Sequence, residues 1–173
     1  MAKLESASVN RKSDIISAAI EVFAEVGYFR ATTAQVAERA KISQPYVFRF
    51  FSTKEALLLT ALEVSWTRVI DSFRKVVESA SPEELENDLV RAYEEILTAY
   101  QNEMLLQMQA QTIREDAIRE AMQNGFGEVR RMVLEAFRNA GIPNPEVRTK
   151  IFLAQGMLCN VSKALAMPEL MEN

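Results

Sequence analysis

The sequence predicts an all-α protein with a small N-terminal three-helix bundle and a larger C-terminal helical domain. Its 173 residues include only five glycines and five prolines, with 49% hydrophobic and 25% charged residues, as is typical of a folded chain with few helix breakers. Apolar residues recur at spacings of three and four, and no convincing run alternates with a period of two. We therefore expect helices and no β-sheet.

The first helix is predicted over residues 10–26, after a frayed tail at residues 1–9. Its apolar stripe consists of Ile16, Ala19, Ile20 and Phe23. Gly27 is expected to end the helix in a left-handed conformation, the usual helix C-cap. The aromatic linker residues Tyr28 and Phe29 are expected to pack beneath the small bundle.

Two short helices joined by a tight turn are predicted next. Thr32 and Gln35 fit a capping box at the start of the second helix, and residues 41–43 form the turn. Ser43 is a suitable N-cap for the third helix, with Pro45 in its first turn. The residues left on the outer, N-terminal side of that helix are Gln44, Tyr46, Phe48 and Arg49. This is the layout of a helix-turn-helix, whose second helix enters the DNA major groove.

Five further helical segments are predicted in the rest of the chain. They span about residues 53–79, 81–101, 103–112, 114–140 and 146–166. The break at Pro82 and the Gly-Ile-Pro-Asn-Pro run at 141–145 separate them most clearly. Gly125 and Gly127 are expected to bend or split the long helix that contains them.

The residue inventory argues against catalysis. There is no histidine, and Cys159 is the single cysteine, so the usual general base and metal ligand are missing and no internal disulfide can form. No phosphate loop, nucleophile elbow or metal-spaced cluster is present. We predict a protein that is not an enzyme, with no metal site and no cofactor. The N-terminus lacks a signal-peptide core and no apolar run is long enough to span a bilayer, so we expect a cytoplasmic protein without a membrane partner.

The charge is distributed unevenly. The chain has a net charge of −4, yet residues 1–55 carry eight Lys/Arg against six Asp/Glu, while residues 56–173 carry twelve against eighteen. The basic excess therefore lies with the helix-turn-helix. DNA affinity is expected to come from local phosphate contacts rather than from the field of the whole molecule.

Between Asn10 and Leu62 the chain resembles the tetracycline-repressor (TetR-type) family of bacterial transcription regulators. The residues that carry the resemblance are Ile16, Ala19, Phe23, Gly27, Tyr28, Thr32, Thr33, Val36, Ala37, Ala40, Ser43, Phe51, Lys54, Glu55, Leu57 and Leu58. The resemblance implies a DNA-binding domain, at residues 1–53, and a domain for dimerisation and ligand binding, at residues 54–173. Lys41 stands at a turn position often held by glycine, and Pro45 and Tyr46 replace a smaller pair, so the operator sequence is not predictable.

We predict that this region contacts double-stranded DNA at a palindromic operator. Gln44 can bond bidentately to adenine, Tyr46 can contact a phosphate or a thymine methyl, and Arg49 can reach guanine or phosphate. Thr33 and Lys54 lie at helix N-termini, which favour phosphate. The full predicted set is Thr33, Lys41, Ser43, Gln44, Pro45, Tyr46, Phe48, Arg49 and Lys54, with Phe48 left open between groove contact and packing.

The larger domain offers a candidate effector site made of aromatic and methionine side chains. Its predicted residues are Trp66, Phe73, Tyr93, Tyr100, Met104, Met108, Met122 and Phe126. Such stripes are more often plain core than a ligand site, but the nearby glutamines supply the polar groups that a small-molecule site needs. No Lys or Arg clearly belongs to the apolar stripes, and Arg114 and Arg119 are the nearest candidates at the edge. The expected effector is therefore largely apolar or aromatic, with a cationic compound left open because aromatic faces attract cations.

The last helix carries an apolar stripe at spacings of 4-3-4-3-4, which is too long for a lone surface helix. Its members, and the predicted homodimer interface, are Val147, Ile151, Ala154, Leu158, Val161 and Leu165. The leading hypothesis is a homodimeric repressor that a small effector releases, with two copies paired through the last two long helices as a four-helix bundle. The alternatives are a regulator without a ligand, acting as an activator or through a protein partner, and a helical enzyme or scaffold.

Overall fold

A computed structural model describes residues 2–172, with side chains from Asn10 onward. The elements are α1 (Ala2–Val26), α2 (Thr33–Arg39), α3 (Gln44–Phe48), α4 (Lys54–Ser79), α5 (Leu85–Ala99), α6 (Gln101–Ala110), α7 (Asp116–Asn139), α8 (Pro145–Leu165) and a 3-10 turn at Pro168–Leu170. No strand occurs within residues 2–172. The predicted all-α class is confirmed.

Helix α1 is longer than its predicted span. It begins at Ala2, so the predicted frayed tail at residues 1–9 is wrong for the described part of that segment. The segment contains no glycine or proline and includes alanine, lysine, leucine and glutamate, which favour continuation of a helix. The end of α1 is as predicted: Gly27 has φ +79°, and its N–H donates to the Phe23 carbonyl at 3.0 Å.

The linker after α1 departs from expectation in one residue. The Tyr28 ring lies 6.1 Å from the Phe23 ring, centroid to centroid, in keeping with the predicted packing. Phe29, in contrast, is 70% exposed, so the prediction that both aromatics pack beneath the bundle is wrong for Phe29. Tyr28 packs beneath the end of α1, and the exposed Phe29 ring lies edge-on against the Tyr28 ring, with 5.3 Å between the centroids.

Helices α2 and α3 form the predicted helix-turn-helix. Thr32 caps α2 in a complete capping box: its N–H donates to Gln35 Oε1 at 2.9 Å, and the Gln35 N–H donates to Thr32 Oγ1 at 3.2 Å. Lys41, in the turn, has φ +55°, the conformation for which glycine is preferred. Ser43 occupies the N-cap of α3, although its side chain makes no capping hydrogen bond. Helix α2 packs against both α1 and α3.

Packing divides the chain into two compact units. The first unit extends to Val64 and includes Leu106–Met122, while the second contains Ser65–Leu105 and the chain from Gln123 onward. Helix α4 contributes residues to both units. The predicted boundary between residues 53 and 54 separates DNA binding from dimerisation and ligand binding, and it does not coincide with the end of either packing unit. It stays a prediction.

The second unit is organised around aromatic rings. The Phe73 ring lies 5.7 Å from Phe152 and 5.9 Å from Tyr93, and Phe152 lies 6.3 Å from Phe137. Phe73 and Phe137 are at most 1% exposed. Helix α8 packs against α5 in this unit.

Helix α7 runs unbroken through both of its glycines, so the expectation that they split it is wrong. Gly125 has a packing role instead. A Cβ atom at Gly125 would lie 2.2 Å from the nearest ring carbons of Trp66, whereas a Cβ at Gly127 would meet nothing within 4 Å. The absent side chain at Gly125 therefore makes room for an indole ring. No helix within residues 2–172 combines the length and the apolar character that a bilayer crossing requires.

Candidate functional site

The outer side of α3 presents the residues that the sequence placed there. Gln44, Pro45 and Arg49 are exposed, and Tyr46 is half-buried. The Arg49 guanidinium lies 5.2 Å from the centroid of the Tyr46 ring, so these two side chains stand together. Phe48 is 47% exposed, so its ring is not part of the core. Of the two roles left open for Phe48, this exposure favours groove contact over packing.

Thr33 and Gln44 contact each other across the helix-turn-helix. Thr33, the first residue of α2, is only 9% exposed. Its Oγ1 accepts a hydrogen bond of 2.8 Å from Gln44 Nε2. The Thr33 hydroxyl therefore faces α3, which leaves the N–H groups at the start of α2 as the more accessible phosphate donors. The predicted phosphate contact of Thr33 stays a prediction.

Lys54 has a structural role that the sequence did not suggest. Its ammonium donates to the carbonyl oxygens of Tyr28 at 2.7 Å, Ala31 at 3.0 Å and Phe29 at 3.4 Å. It also lies 4.6 Å from the centroid of the Tyr28 ring. Three acceptors match the three N–H donors of an ammonium group. Lys54 thus joins the start of α4 to the linker after α1, and its predicted phosphate contact stays a prediction.

The other cations near the turn divide into paired and exposed groups. Arg39 forms ion pairs with Glu21 at 2.8 Å and Glu25 at 2.7 Å, and the hydrogen bond from Arg39 lowers the pKa of Glu25. These pairs tie α2 to α1. Lys41 and Arg49 are exposed and have no ion pair in the structure's described part, and their predicted DNA contacts stay predictions.

The eight predicted effector residues are divided between the two units, and their role in binding an effector stays a prediction. Met108 and Met122 belong to the first unit, and the other six belong to the second. The structure brings together two pairs: the rings of Trp66 and Phe126 at 4.9 Å, and those of Phe73 and Tyr93. Phe73, at 1% exposure, lies among core rings, which favours the plain core role for this residue.

A cleft of about 130 Å³ lies between α5 and α8. Tyr93 lines it, together with Val90, Phe152, Cys159 and Met171. The Tyr93 hydroxyl donates to Asn160 Oδ1 at 2.8 Å, and burial raises the pKa of Tyr93 to about 12. Burial also raises the pKa of the Cys159 thiol. Of the predicted effector residues, Tyr93 alone lines this cleft.

Sequence reasoning missed the polar groups beside the predicted effector residues. Arg68 pairs with Glu103, and its guanidinium lies 4.4 Å from the centroid of the Tyr100 ring. The Trp66 Nε1–H is buried without a hydrogen-bond partner. Arg68 follows Trp66 by two residues on α4, and that proximity in sequence was the available signal.

The predicted dimer stripe coincides with an exposed side of α8. Val147, Ile151, Leu158 and Leu165 are 52%, 43%, 42% and 60% exposed. Ala154 is exposed as well, and Val161 is half-buried. An apolar helix face of this length normally marks an interaction site. Among the side chains that the structure describes, no cluster of three metal-ligating residues is found.

Comparisons with known proteins agree with this architecture. Residues 15–61 match the family model "Bacterial regulatory proteins, tetR family". The regulator HbdR of Aromatoleum sp. is 33% identical over 67 residues, which is 39% of this chain and 28% of that protein. The activator FasR of Mycolicibacterium smegmatis is 30% identical over 71 residues, 41% of this chain and 32% of that protein. The matched segments thus span less than a third of either curated relative.

Solved structures extend the likeness beyond the helix-turn-helix. The fatty acid degradation regulator FadR from Bacillus halodurans gives a TM-score of 0.75 at 20% identity, covering 89% of this chain and 88% of that one. FadR from Bacillus subtilis in complex with stearoyl-CoA gives 0.73 at 18% identity, covering 87% and 86%. At these identities the likeness shows the shared fold. Together with the match over residues 15–61, it shows a helix-turn-helix segment of the tetR type in a chain that shares the fold of these regulators.

Proposed function

We propose that this chain is a homodimeric DNA-binding transcriptional repressor that a small apolar or aromatic effector releases from a palindromic operator. The observation that carries the proposal is the exposure of Gln44 and Arg49, with Tyr46 beside them, on the second helix of a TetR-type helix-turn-helix. Recognition helices of this type read base edges with their N-terminal residues. A protein with this role would work in the cytoplasm, where bacterial DNA lies.

Three kinds of contact are assigned to the DNA surface. Gln44 and Arg49 read base edges, while Pro45 and Phe48 offer apolar surface to a thymine methyl. Lys41, Ser43 and the N-termini of α2 and α4 contact phosphates, which position the protein without reading sequence. The list of proposed DNA contacts remains Thr33, Lys41, Ser43, Gln44, Pro45, Tyr46, Phe48, Arg49 and Lys54, with Thr33 contributing its backbone N–H because its hydroxyl is bonded to Gln44.

Dimerisation through α8 is supported by its exposed apolar side. A twofold axis would bring the same stripe of each copy together and bury it. The two recognition helices would then enter successive major grooves, with half-sites about 34–36 Å apart or a multiple of that distance. Leu158 lies near the middle of the stripe, so a charged residue at this position should disrupt the dimer most strongly.

Release by an effector is supported by the apolar side chains of the second unit and by one structural neighbour. FadR from Bacillus subtilis is described in complex with stearoyl-CoA, so compounds with a long acyl chain, which is an apolar group, are the first to test. Helix α4 runs through both units and is the proposed route from effector to DNA. The effector can shift the equilibrium only by its differential affinity for the two states, typically about 1–3 kcal/mol.

The sign of regulation has one specific alternative. FasR, one of the two curated relatives, is described as an activator. An activator of the same fold would use the same DNA surface and operator. Transcription measured from an operator-bearing promoter, with and without the protein, separates the two functions by the direction of the change.

Selection of bound DNA fragments from a random pool tests the DNA-binding proposal. The expected result is a palindromic motif, and Arg49→Ala should weaken specific binding by about 1–3 kcal/mol. Lys75→Ala removes an exposed cation from α4 and serves as the matched control with unchanged affinity. Recovery of no motif, or equal behaviour of the two variants, would contradict the proposed reading surface.

Sedimentation tests the dimer. Leu158→Glu should give a monomer that has also lost palindrome binding, because a charge on the stripe resists burial. Asn87→Glu introduces the same charge at an exposed position of α5 and should remain a dimer. A wild-type monomer at micromolar concentration would refute this part of the proposal.

A further inference from the structure

We propose that Thr33 is a positioning residue for DNA recognition: its hydroxyl holds the amide of Gln44 and so sets the base that Gln44 reads. The inference rests on the proposed DNA-binding function, and it assigns to Thr33 a role different from phosphate contact. The carrying observation is the hydrogen bond of 2.8 Å from Gln44 Nε2 to Thr33 Oγ1.

The two partners differ in how firmly each is held. Thr33 is 9% exposed and directly follows Thr32, whose capping box with Gln35 fixes the start of α2. Gln44 is exposed, and the Ser43 side chain makes no capping bond at the start of α3. An exposed glutamine without such a partner would sample several rotamers. The buried threonine therefore anchors the exposed glutamine.

The chemistry of the amide determines what Gln44 can still bind. Its NH₂ group has two donors, and the oxygen remains an acceptor when one donor goes to Thr33. The N–H on the same edge as the oxygen, together with that oxygen, is the pair that adenine requires at N7 and N6 in the major groove. With Nε2 anchored on Thr33, Oε1 is free to accept from an adenine amino group. The anchored orientation therefore favours adenine over guanine, which presents two acceptors on this edge.

The expected size of the effect follows from the freedom that the bond removes. Ordering one such side chain at an interface costs about 0.5–1.5 kcal/mol, or roughly two- to tenfold in affinity. A glutamine that Thr33 has already ordered avoids much of this cost when it binds adenine. Loss of the hydroxyl should therefore lower the preference for adenine at one base pair of each half-site by about two- to tenfold.

The test measures affinity for the selected operator and for copies with that base pair changed, at several salt concentrations. Thr33→Val keeps the side-chain shape and removes the hydroxyl, while Thr33→Ser keeps the hydroxyl. We expect Thr33→Val to lose preference at the Gln44 base pair alone, with an unchanged salt slope, and Thr33→Ser to retain the preference. In a Gln44→Ala background, Thr33→Val should change nothing further. Thermal unfolding of each variant checks the fold, and Thr33→Ala against Thr33→Ser provides a second matched pair.

The outcomes separate the inference from the function on which it rests. A uniform loss over all operator copies in Thr33→Val would mean a phosphate contact and would overturn the positioning role. A full effect of Thr33→Val in the Gln44→Ala background would overturn it too. A wild-type protein that selects no DNA sequence would overturn the proposed function and the inference together.

Discussion

Replacing Gly125 by alanine should destabilise the protein, although alanine is the better helix former. The added Cβ would lie 2.2 Å from two ring carbons of Trp66 and 2.5 Å from its Nε1, while carbon atoms pack best at about 3.5–4.0 Å. The indole is 7% exposed and packs edge-on against Phe126, so it has little room to move. Overpacking of a core costs about 1–3 kcal/mol. Because the added Cβ would lie more than about 1 Å closer to the ring than normal packing allows, we expect a cost near the upper end of that range.

The matched control lies on the same helix, two residues along. Gly127→Ala meets nothing within 4 Å and should stabilise α7 by about 1 kcal/mol, the usual difference between glycine and alanine in a helix. Gly125→Ala gains the same helix propensity of about 1 kcal/mol but has an overpacking cost of about 3 kcal/mol, so its unfolding free energy should fall by about 2 kcal/mol. The two variants should therefore differ by about 3 kcal/mol in unfolding free energy, or about 6–12 °C in Tm.

Urea unfolding followed by circular dichroism gives both free energies. The double variant Trp66→Leu with Gly125→Ala should lose less unfolding free energy than the two single variants lose together, because the smaller leucine side chain relieves the clash. Equal stability of Gly125→Ala and Gly127→Ala would refute the reasoning, since a Cβ meets the indole ring at Gly125 and nothing within 4 Å at Gly127.

Three further substitutions test other features. Lys41→Gly should raise stability by about 0.5–1 kcal/mol, because the left-handed conformation at φ +55° strains a lysine more than a glycine; a loss in urea unfolding would contradict this. Lys54→Met should lower stability by about 1–2 kcal/mol through loss of the carbonyl contacts, whereas a phosphate contact alone would leave stability unchanged and lower the salt slope of DNA binding by about one. Because burial raises the pKa of Tyr93 to about 12, above the ordinary tyrosine pKa of about 10, the stability that the neutral phenol contributes is fully present below about pH 10 and is lost as the pH rises towards 12. Tyr93→Phe should reduce the dependence of the unfolding free energy on pH between about pH 10 and 12. The same dependence in the variant and the wild type would argue against titration of Tyr93 as its cause.

The sequence predicted the helices well where their ends depend on local signals. Gly27 ends α1, Thr32 begins α2 with its capping box, and α4 ends at the predicted Ser79. Helical periodicity also identified the outer side of α3 and the exposed side of α8, because both depend on spacing alone. The start of α1 was wrong because a segment without breakers carries no local signal against helix.

The contacts that organise the candidate site could not be predicted from the sequence. Gln44 and Thr33 are 11 residues apart, and Lys54 reaches a carbonyl 26 residues before it. Such pairs depend on how α2, α3 and α4 are arranged in space, which periodicity does not specify. The packing of Trp66 on Gly125 has the same origin, so a glycine that suggested a helix break instead marks a close approach.

The position of Trp66 also determines what intrinsic fluorescence can report. It is the single tryptophan of the chain, and its ring contacts with Gly125 and Phe126 all lie within the second unit. Emission excited selectively through indole therefore follows the unfolding of that unit, while the helix-turn-helix contributes no signal of its own. Circular dichroism, in contrast, samples the helices of both units. If the fluorescence and circular dichroism curves coincide, the protein unfolds in a single cooperative transition. If the dichroism signal falls at a lower urea concentration than the fluorescence signal, the first unit unfolds before the second.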